Sequence, residues 1–220
     1  MKRLAFVLLA ASAILPAYAS ITDYRFDVLL DDARIGSHAF RVQRDDKGIR
    51  QVDIDAVFDV RLLFVPVYSY RHRNVEQWAD GCLVGLFSET DDNGRAFAVR
   101  AQTEDDGLRV DAGGVDRSLE GCVRSFAYWD RDFLQSTRLL NSQDGSLVEV
   151  DVQGPLDSTF RVGELGVAAE RFRIRAEGDL VIDVWYGADG SWLGLETERK
   201  GRTIRYVPDD ARLRTLSKDV

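Results

Sequence analysis

The feature of this sequence that most restricts its fold is an alternation of apolar and polar residues that recurs along most of the chain. Val52, Ile54 and Ala56 alternate with Asp53 and Asp55, and a period of two places the apolar side chains on one face of a strand. Similar stretches are separated by turns rich in Asp, Asn and Gly, residues that accept the backbone conformations of tight turns. This pattern predicts a mostly antiparallel, all-β fold.

About twelve short strands are predicted from this alternation, with turn signals every 8 to 14 residues or so. We expect them to form a single antiparallel, strongly twisted sheet in the shape of an open or half barrel. The apolar face of such a sheet must be covered by the sheet itself, by a lid or by a ligand. At most one or two short helices are expected, the best candidate being 128–140 with Asp130 as N-cap. Pro66 predicts an edge or a bulge in its strand.

The N-terminus has the three-part order of a secretory signal peptide. Lys2 and Arg3 precede the apolar stretch Leu4–Leu15, and Ala17-Tyr18-Ala19 forms a small-x-small cleavage site. The apolar stretch is shorter than the ~20 residues of a transmembrane helix. We therefore expect cleavage after Ala19 and a location in the periplasm of a Gram-negative bacterium.

No composition shift divides the rest of the chain. We expect a signal peptide over 1–19, a single β domain over 20–207 and a polar C-terminal tail over 208–220, with no transmembrane segment in the mature chain. The chain has 29 basic and 37 acidic residues, and removing Lys2 and Arg3 would take the net charge from −8 to about −10. An acidic surface repels nucleic acid and anionic membranes, so no nucleic-acid partner is expected.

Cys82 and Cys122 are the two cysteines of the chain. An even number in an exported protein favours a disulfide bond, and closing a loop of about 40 residues would contribute ~4 kcal/mol in the chain-entropy model. Two separate buried thiols remain the alternative, because sequence does not place the Cα atoms within bridging distance.

Motifs for catalysis or metal binding do not emerge from the sequence. It contains no GxSxG, HExxH or Gly-rich phosphate loop and no spaced Cys/His cluster. Paired acids such as Asp45-Asp46 lie in turns without the spacing of a calcium loop, and solvated turn residues explain them better. His38 is expected to be a buried histidine that a neighbour satisfies. No catalytic residue, metal or cofactor is therefore assigned.

Aromatic residues provide the candidate binding site. One predicted strand carries Tyr68, Tyr70 and His72 on the same face, followed by Glu76 and Trp78, and aromatic rings with a few polar groups are typical of ligand pockets. Core packing explains any one of these residues equally well. The predicted ligand-binding residues are Tyr68, Tyr70, His72, Trp78, Trp129 and Trp185.

Several functions remain open on this evidence. The leading hypothesis is non-catalytic binding of a lipid or another apolar or amphiphilic small molecule in the concavity of a half barrel. The alternatives are a periplasmic hydrolase that uses His72 with Glu76, or a Ser-His pair, and an envelope structural or interaction domain. A small outer-membrane barrel is disfavoured by the cysteine pair and the acidic turns. The oligomeric state is not predicted.

Two resemblances add to this interpretation. Tyr24-x-Phe26-x-Val28 with Ile35-Gly36-x-His38-x-Phe40 resembles the opening of a family of exported bacterial β proteins of unknown function, and Glu76-x-Trp78, Tyr128-Trp129 and Trp185-Tyr186 extend the likeness. More remotely, the long antiparallel meander is similar in fold to periplasmic lipoprotein carriers of the LolA and LolB type. That likeness implies an incomplete barrel that holds acyl chains, and it transfers no residue.

Overall fold

The computed structural model describes residues 18–105, 107–199 and 201–216. The predicted signal peptide lies outside this range except for Tyr18 and Ala19, which open the first strand. Residues 217–220 of the predicted tail lie outside it as well.

Strands make up nearly all of the regular structure. They are β1 Tyr18–Leu30, β2 Ala33–Asp45, β3 Arg50–Leu62, β4 Val65–Ala79, β5 Cys82–Asp92, β6 Arg95–Glu104, β7 Gly107–Ala112, β8 Val115–Glu120, β9 Arg138–Leu140, β10 Leu147–Val162, β11 Leu165–Ala176, β12 Leu180–Tyr186, β13 Trp192–Arg199 and β14 Arg202–Pro208. A 3-10 helix spans Arg131–Gln135, and helix α1 spans Asp210–Leu216. No helix among the residues described here is long and apolar enough to cross a membrane.

All fourteen strands form one antiparallel sheet. Its order is β8-β7-β6-β5-β4-β3-β2-β1-β14-β13-β12-β11-β10-β9, so β1 and β14 pair in the middle and β8 and β9 are the edges. The sheet does not close into a barrel. The predicted all-β class and open antiparallel sheet are therefore confirmed, because period-two patterning and turn chemistry act locally and survive in the final fold.

The strand count differs from the expectation of about twelve. Three short strands, β7, β8 and β9, carry too few alternating residues to stand out in the sequence. In contrast, 147–162 forms one strand across Gly154-Pro155, which the sequence suggests as a break. A register shift between Gln153 and Leu156 accommodates these residues in the pairing with β11.

The segment that joins β8 to β10, residues 121–146, fills much of the concavity and is called the inner segment here. Its Trp129 packs edge-on against Trp78 of β4, with ring centroids 5.4 Å apart. Its Tyr128 stacks on Trp192 of β13 at 5.4 Å. The inner segment thus bridges two walls of the sheet, and the main hydrophobic core lies between it and the inward strand faces.

The start of the inner segment is tied to β5. The sulfur atoms of Cys82 and Cys122 are 2.09 Å apart, the distance of a disulfide bond. Beside them, the Leu83 N–H donates to the Val123 carbonyl at 2.9 Å. Asp130 caps the 3-10 helix by accepting from the Asp132 N–H at 3.1 Å, and it pairs with Arg50 of β3 at 2.6 Å. The predicted short helix around Asp130 therefore exists, but it is a single 3-10 segment.

Gly36 allows a close approach between β2 and β3. A Cβ atom at this position would lie 1.9 Å from the Val57 carbonyl oxygen, so any side chain would force the strands apart. The Ile35-Gly36 pair noted in the sequence therefore has a packing reason.

Candidate functional site

A cavity of about 450 Å³ remains between the sheet and the inner segment. Pockets of roughly 300 to 1,000 Å³ are the size that proteins use for small ligands. It is open to solvent beside Glu177, an exposed residue of the β11–β12 turn. The strand residues that line it are His38, Phe40, Ile54, Tyr70, His72, Glu76, Val148, Leu180 and Ile182, and the inner segment contributes Phe126, Tyr128, Asn141, Ser142 and Gln143.

One wall of the cavity is polar because of the residues that β4 turns inward. His72, Asn74 and Glu76 occupy successive inward positions and are all buried. Ser88 and Thr90 of the neighbouring β5 are also buried and lie opposite Asn74 and His72 in the strand register. Buried polar groups are costly unless they are paired, so each member of this column requires a partner.

His72 lies at the centre of the polar column. Its Nδ1 is 2.8 Å from Thr90 Oγ1, and its Nε2 faces Ser142 Oγ of the inner segment at 3.5 Å. Burial lowers the pKa of His72 to about 4, so the ring is neutral at pH 7. A neutral ring whose Nδ1–H donates to Thr90 presents an Nε2 acceptor to Ser142 and to the cavity.

The loop that carries Ser142 is held by two further bonds to the wall. Ser88 Oγ–H donates to the Ser142 carbonyl at 2.5 Å. The Tyr70 hydroxyl donates to Gln143 Oε1 at 3.1 Å. These contacts fix the loop over the inward face of β4, so the polar end of the cavity is organised before any ligand arrives.

Glu76 is a fully buried carboxyl group beside the cavity. It accepts hydrogen bonds from Asn74 Nδ2 at 2.8 Å and Trp78 Nε1 at 2.9 Å, and from the Ser125 side chain. Burial raises its pKa above the ordinary value, and these three hydrogen bonds oppose the rise. The hydrogen bonds of Glu76 therefore hold it within the core. It does not pair with His72, whose two ring nitrogens face Thr90 and Ser142.

His38 contributes a second imidazole to the cavity wall. Its Nδ1 is 3.1 Å from the Tyr206 hydroxyl, whereas its Nε2 is buried with no hydrogen-bond partner in the structure. Burial, with a smaller effect from His72, lowers the pKa of His38 to about 3. The expectation that a neighbour satisfies His38 therefore holds for one ring nitrogen, and the other is a buried polar atom without a hydrogen-bond partner.

The opposite side of the cavity is apolar. Leu180 and Ile182 of β12 line it, and Phe40 of β2 and Ile54 of β3 continue the apolar lining toward the polar column. Together with the polar column, these side chains make a cavity with one hydrogen-bonding end and one hydrocarbon-like wall. Such a lining suits an amphiphilic molecule.

The six predicted binding residues lie in different surroundings. Tyr70 and His72 line the cavity. Tyr68 lies next to them on the same face and donates its hydroxyl to Asp92 at 2.7 Å. Trp78 and Trp129 are buried against each other in the core.

Trp185 lies apart from the other predicted residues. It alternates with the inward Val184 and Tyr186, so it is on the other face of the sheet. There it packs against Phe160 at 5.7 Å, in a small cluster that also contacts Leu216 of α1.

Sequence reasoning missed the contribution of the inner segment. Asn141, Ser142 and Gln143 reach the cavity from an irregular turn, and no periodicity announces their position. His38 was detectable, because it shares the inward alternation of Phe40. Among the described residues, no group of three or more His, Cys, Asp or Glu side chains is arranged to hold a metal ion.

Comparison with known proteins supports the fold and identifies the family. No curated protein matches the chain. The crystal structure of a beta-barrel-like protein of the domain of unknown function DUF1849 from Brucella abortus is similar, with a TM-score of 0.64 and 12% identity over 85% of this chain and 94% of that chain. At that identity the likeness concerns the fold alone. Residues 26–209 match the model of DUF6134, described as a domain of unknown function, so this protein belongs to the DUF6134 family.

Proposed function

We propose that this protein binds an apolar or amphiphilic small molecule in the half-barrel cavity, without converting it. The observation that carries the proposal is the division of the cavity wall into a polar end, with His72 and Ser142, and an apolar side, with Leu180 and Ile182. A core that served folding alone would gain by replacing buried polar groups with well-packed apolar ones. Their presence next to an open cavity therefore supports recognition of a ligand head group.

The proposed chemistry of the head group follows from the neutral imidazoles. The Nε2 atoms of His38 and His72 do not carry charge at pH 7, because burial depresses both pKa values. We propose that they bind a hydroxyl or an undissociated polar group, since a full charge would be costly next to these buried groups. The apolar side would take a hydrocarbon portion.

Export to the periplasm is part of the same proposal. The signal-peptide pattern of the first 19 residues supports it, and so does the disulfide distance between Cys82 and Cys122. Periplasmic fractionation of the expressed full chain, with mass measurement of the N-terminus, tests cleavage after Ala19.

The experiment that tests ligand binding is native mass spectrometry of protein purified without detergent, followed by organic extraction. A lipid or other apolar molecule in near-stoichiometric amount is the expected result. In parallel, a dansyl-labelled undecanol, which ends in an uncharged hydroxyl group, serves as a fluorescent probe for direct titration. A bare protein that also leaves the probe unbound contradicts the proposal.

A cavity-filling variant makes the test specific. Leu180→Phe adds volume inside the cavity and should weaken probe binding by about 10-fold or more, the factor that 1.4 kcal/mol represents. Leu156→Phe makes the same change at an exposed position of β10 and serves as the control. Equal probe affinities for the two variants would place the probe outside the cavity.

One observation favours a second candidate function, ester hydrolysis by Ser142. Its Oγ lies 3.5 Å from His72 Nε2, and Thr90 orients the ring from the other side. In such a step Ser142 Oγ would add to the carbonyl carbon and His72 would pass the Ser142 proton to the leaving alcohol, and water would then release the acid. The depressed pKa of His72 makes it a weak base near neutral pH, so we rank binding first. Turnover of p-nitrophenyl butyrate that is lost in Ser142→Ala would reverse this order.

A further inference from the structure

Strands β3 and β4 extend beyond their neighbours at one end of the half barrel. The pairing of β2 with β3 reaches only Phe58, and the pairing of β4 with β5 begins at Tyr70. In contrast, β3 and β4 pair with each other out to Leu62 and Val65. Residues 59–69 therefore form a projecting two-stranded ribbon, called the hairpin arm here.

The tip of the hairpin arm, residues 63–67, is apolar and exposed. Leu63 is 87% exposed, Phe64 91% and Val65 63%, and Val67 is half exposed. The first three are the most exposed large apolar side chains in the described part of the chain. Exposed apolar patches of a few hundred Å² mark sites of interaction with proteins or membranes.

Leu63 is also unusual in its backbone conformation. Its φ is +55°, and the six other non-glycine residues with positive φ in the described ranges are all Asp or Asn. Those residues tolerate this conformation, whereas Leu is disfavoured in it. An exposed Leu in a strained turn conformation does not stabilise the fold. This supports a role for Leu63 in a contact with another molecule.

A lipid surface fits this tip better than a protein partner. The tip is convex and has no charged or hydrogen-bonding side chain. Its four large side chains present on the order of 500 Å², below the ~800 Å² per partner of a stable protein interface. Pairing within the arm satisfies backbone groups near the tip, as entry into the outer part of a bilayer requires. Arg61 is exposed at the base, where its charge would meet lipid head groups.

The hairpin arm is also continuous with the cavity. In this antiparallel sheet the β3–β4 and β11–β12 turns lie at the same end, and the cavity opens beside Glu177 of the second turn. The inward face of the arm continues through Phe58 and Tyr70, whose rings stack at 5.2 Å. Tyr70 itself lines the cavity, so an aromatic path joins the arm to the ligand site.

We propose that the hairpin arm inserts its tip, residues 63–67, into a lipid bilayer and that an amphiphile passes between the bilayer and the cavity along the inward face of the arm. The transfer route rests on the proposed function. The docking of the tip depends only on the exposed residues of the arm.

Vesicle flotation tests the docking surface. The protein is mixed with large vesicles of phosphatidylcholine, which carry no net charge, and the floating fraction is measured at low and high salt. The test variant is Leu63→Ser with Phe64→Ser. The matched control is Ile21→Ser with Ile49→Ser, since both residues are exposed and lie toward the opposite end of the sheet.

The wild type and the control should float, with little effect of salt, because the attraction is apolar. The arm variant should lose vesicle binding by about 10-fold or more, since it removes most of the inserted apolar area. A wild type that fails to float, or an arm variant that floats like the wild type, overturns the proposal. Self-association of the wild type without vesicles that the arm variant abolishes would assign the tip to a second copy and also overturn it.

Leu180→Phe separates this proposal from the proposed function. It should float normally and fail to hold the dansyl probe. If no form of the protein binds an amphiphile although the wild type still floats through its arm, the docking surface stands and the transfer route is overturned.

Discussion

Strands β4 and β12 both line the cavity, but their inward faces have opposite characters. From β12 the chain turns inward Leu180, Ile182 and Val184, ordinary residues of a hydrophobic core. From β4 it turns inward His72 and Glu76, with Asn74 between them, and all three are buried. One fold therefore contains a wall that serves stability and a wall whose polar groups cost stability. The second kind of wall is where a function is expected, because folding alone does not require it.

The largest expected effect comes from making the apolar wall polar. Val184 is fully buried, so Val184→Asn places an amide without partners in the core and should lower the free energy of unfolding by ~3 to 5 kcal/mol. His72→Leu together with Thr90→Val, the reverse change on β4 and β5, should lower it by less than ~1 kcal/mol, because it removes both partners of a buried hydrogen bond. Urea denaturation measures both. Similar losses of unfolding free energy for the two variants would show that the polar and the apolar wall contribute equally to stability.

Acid should destabilise the protein through the cavity histidines. The folded pKa values, about 4 for His72 and about 3 for His38, lie below the ordinary value of 6.5. The stability that the two neutral histidines contribute is therefore present above pH 6.5. It is lost as the pH falls, by ~2 kcal/mol per histidine at pH 5.

Comparing variants isolates this effect from that of the carboxylates. His72→Gln should lose about 2 kcal/mol less than the wild type between pH 7 and pH 5. The measurement is urea denaturation at both pH values. Parallel losses in wild type and variant would mean that His72 is as easily protonated in the folded protein as in the unfolded chain.

The effect of Glu76 on stability should have the opposite dependence on pH from that of the histidines. Its folded pKa is raised above 4.5 by burial, so the stability linked to its proton is present below that pH and is lost as the pH rises. Glu76→Gln should therefore gain stability relative to the wild type between pH 5 and pH 8. The amide can be accommodated, because Asn74 Oδ1 is buried without a partner and is available to accept from Gln.

An exposed carboxylate provides the control for Glu76. Glu149→Gln makes the same change from carboxylate to amide at an exposed position of β10. A Glu76→Gln variant that behaves like Glu149→Gln would show that the buried carboxyl group titrates normally.

The smallest expected effect is at the tip of the hairpin arm. Leu63→Asn suits the positive φ and should raise the free energy of unfolding by ~0.5 to 1 kcal/mol. The same substitution should weaken vesicle binding. Thermal unfolding and flotation measure the two quantities. A variant that is less stable than the wild type would show that Leu63 stabilises the fold, as the inward apolar residues of β12 do.

Part of the candidate site was accessible from sequence. Tyr70 and His72 follow one strand with a clear period of two, so their common face was predictable. Trp185 obeys the same period but lies on the other face, since alternation assigns residues to two faces without naming the inner one. The loop of Ser142 and Gln143 has no period at all, and its place over β4 depends on contacts between residues distant in sequence.

The sequence by itself determined the strand content, the turns and the antiparallel meander, because alternation and turn preferences are local properties of neighbouring residues. The tertiary structure alone decided that residues 121–146 enter the concavity of the sheet and that a cavity remains beside His72. These features depend on sheet curvature and on contacts such as that of Trp78 with Trp129, which join residues far apart in the chain. Local patterns do not encode such contacts, because many arrangements of the same strands satisfy the same alternation.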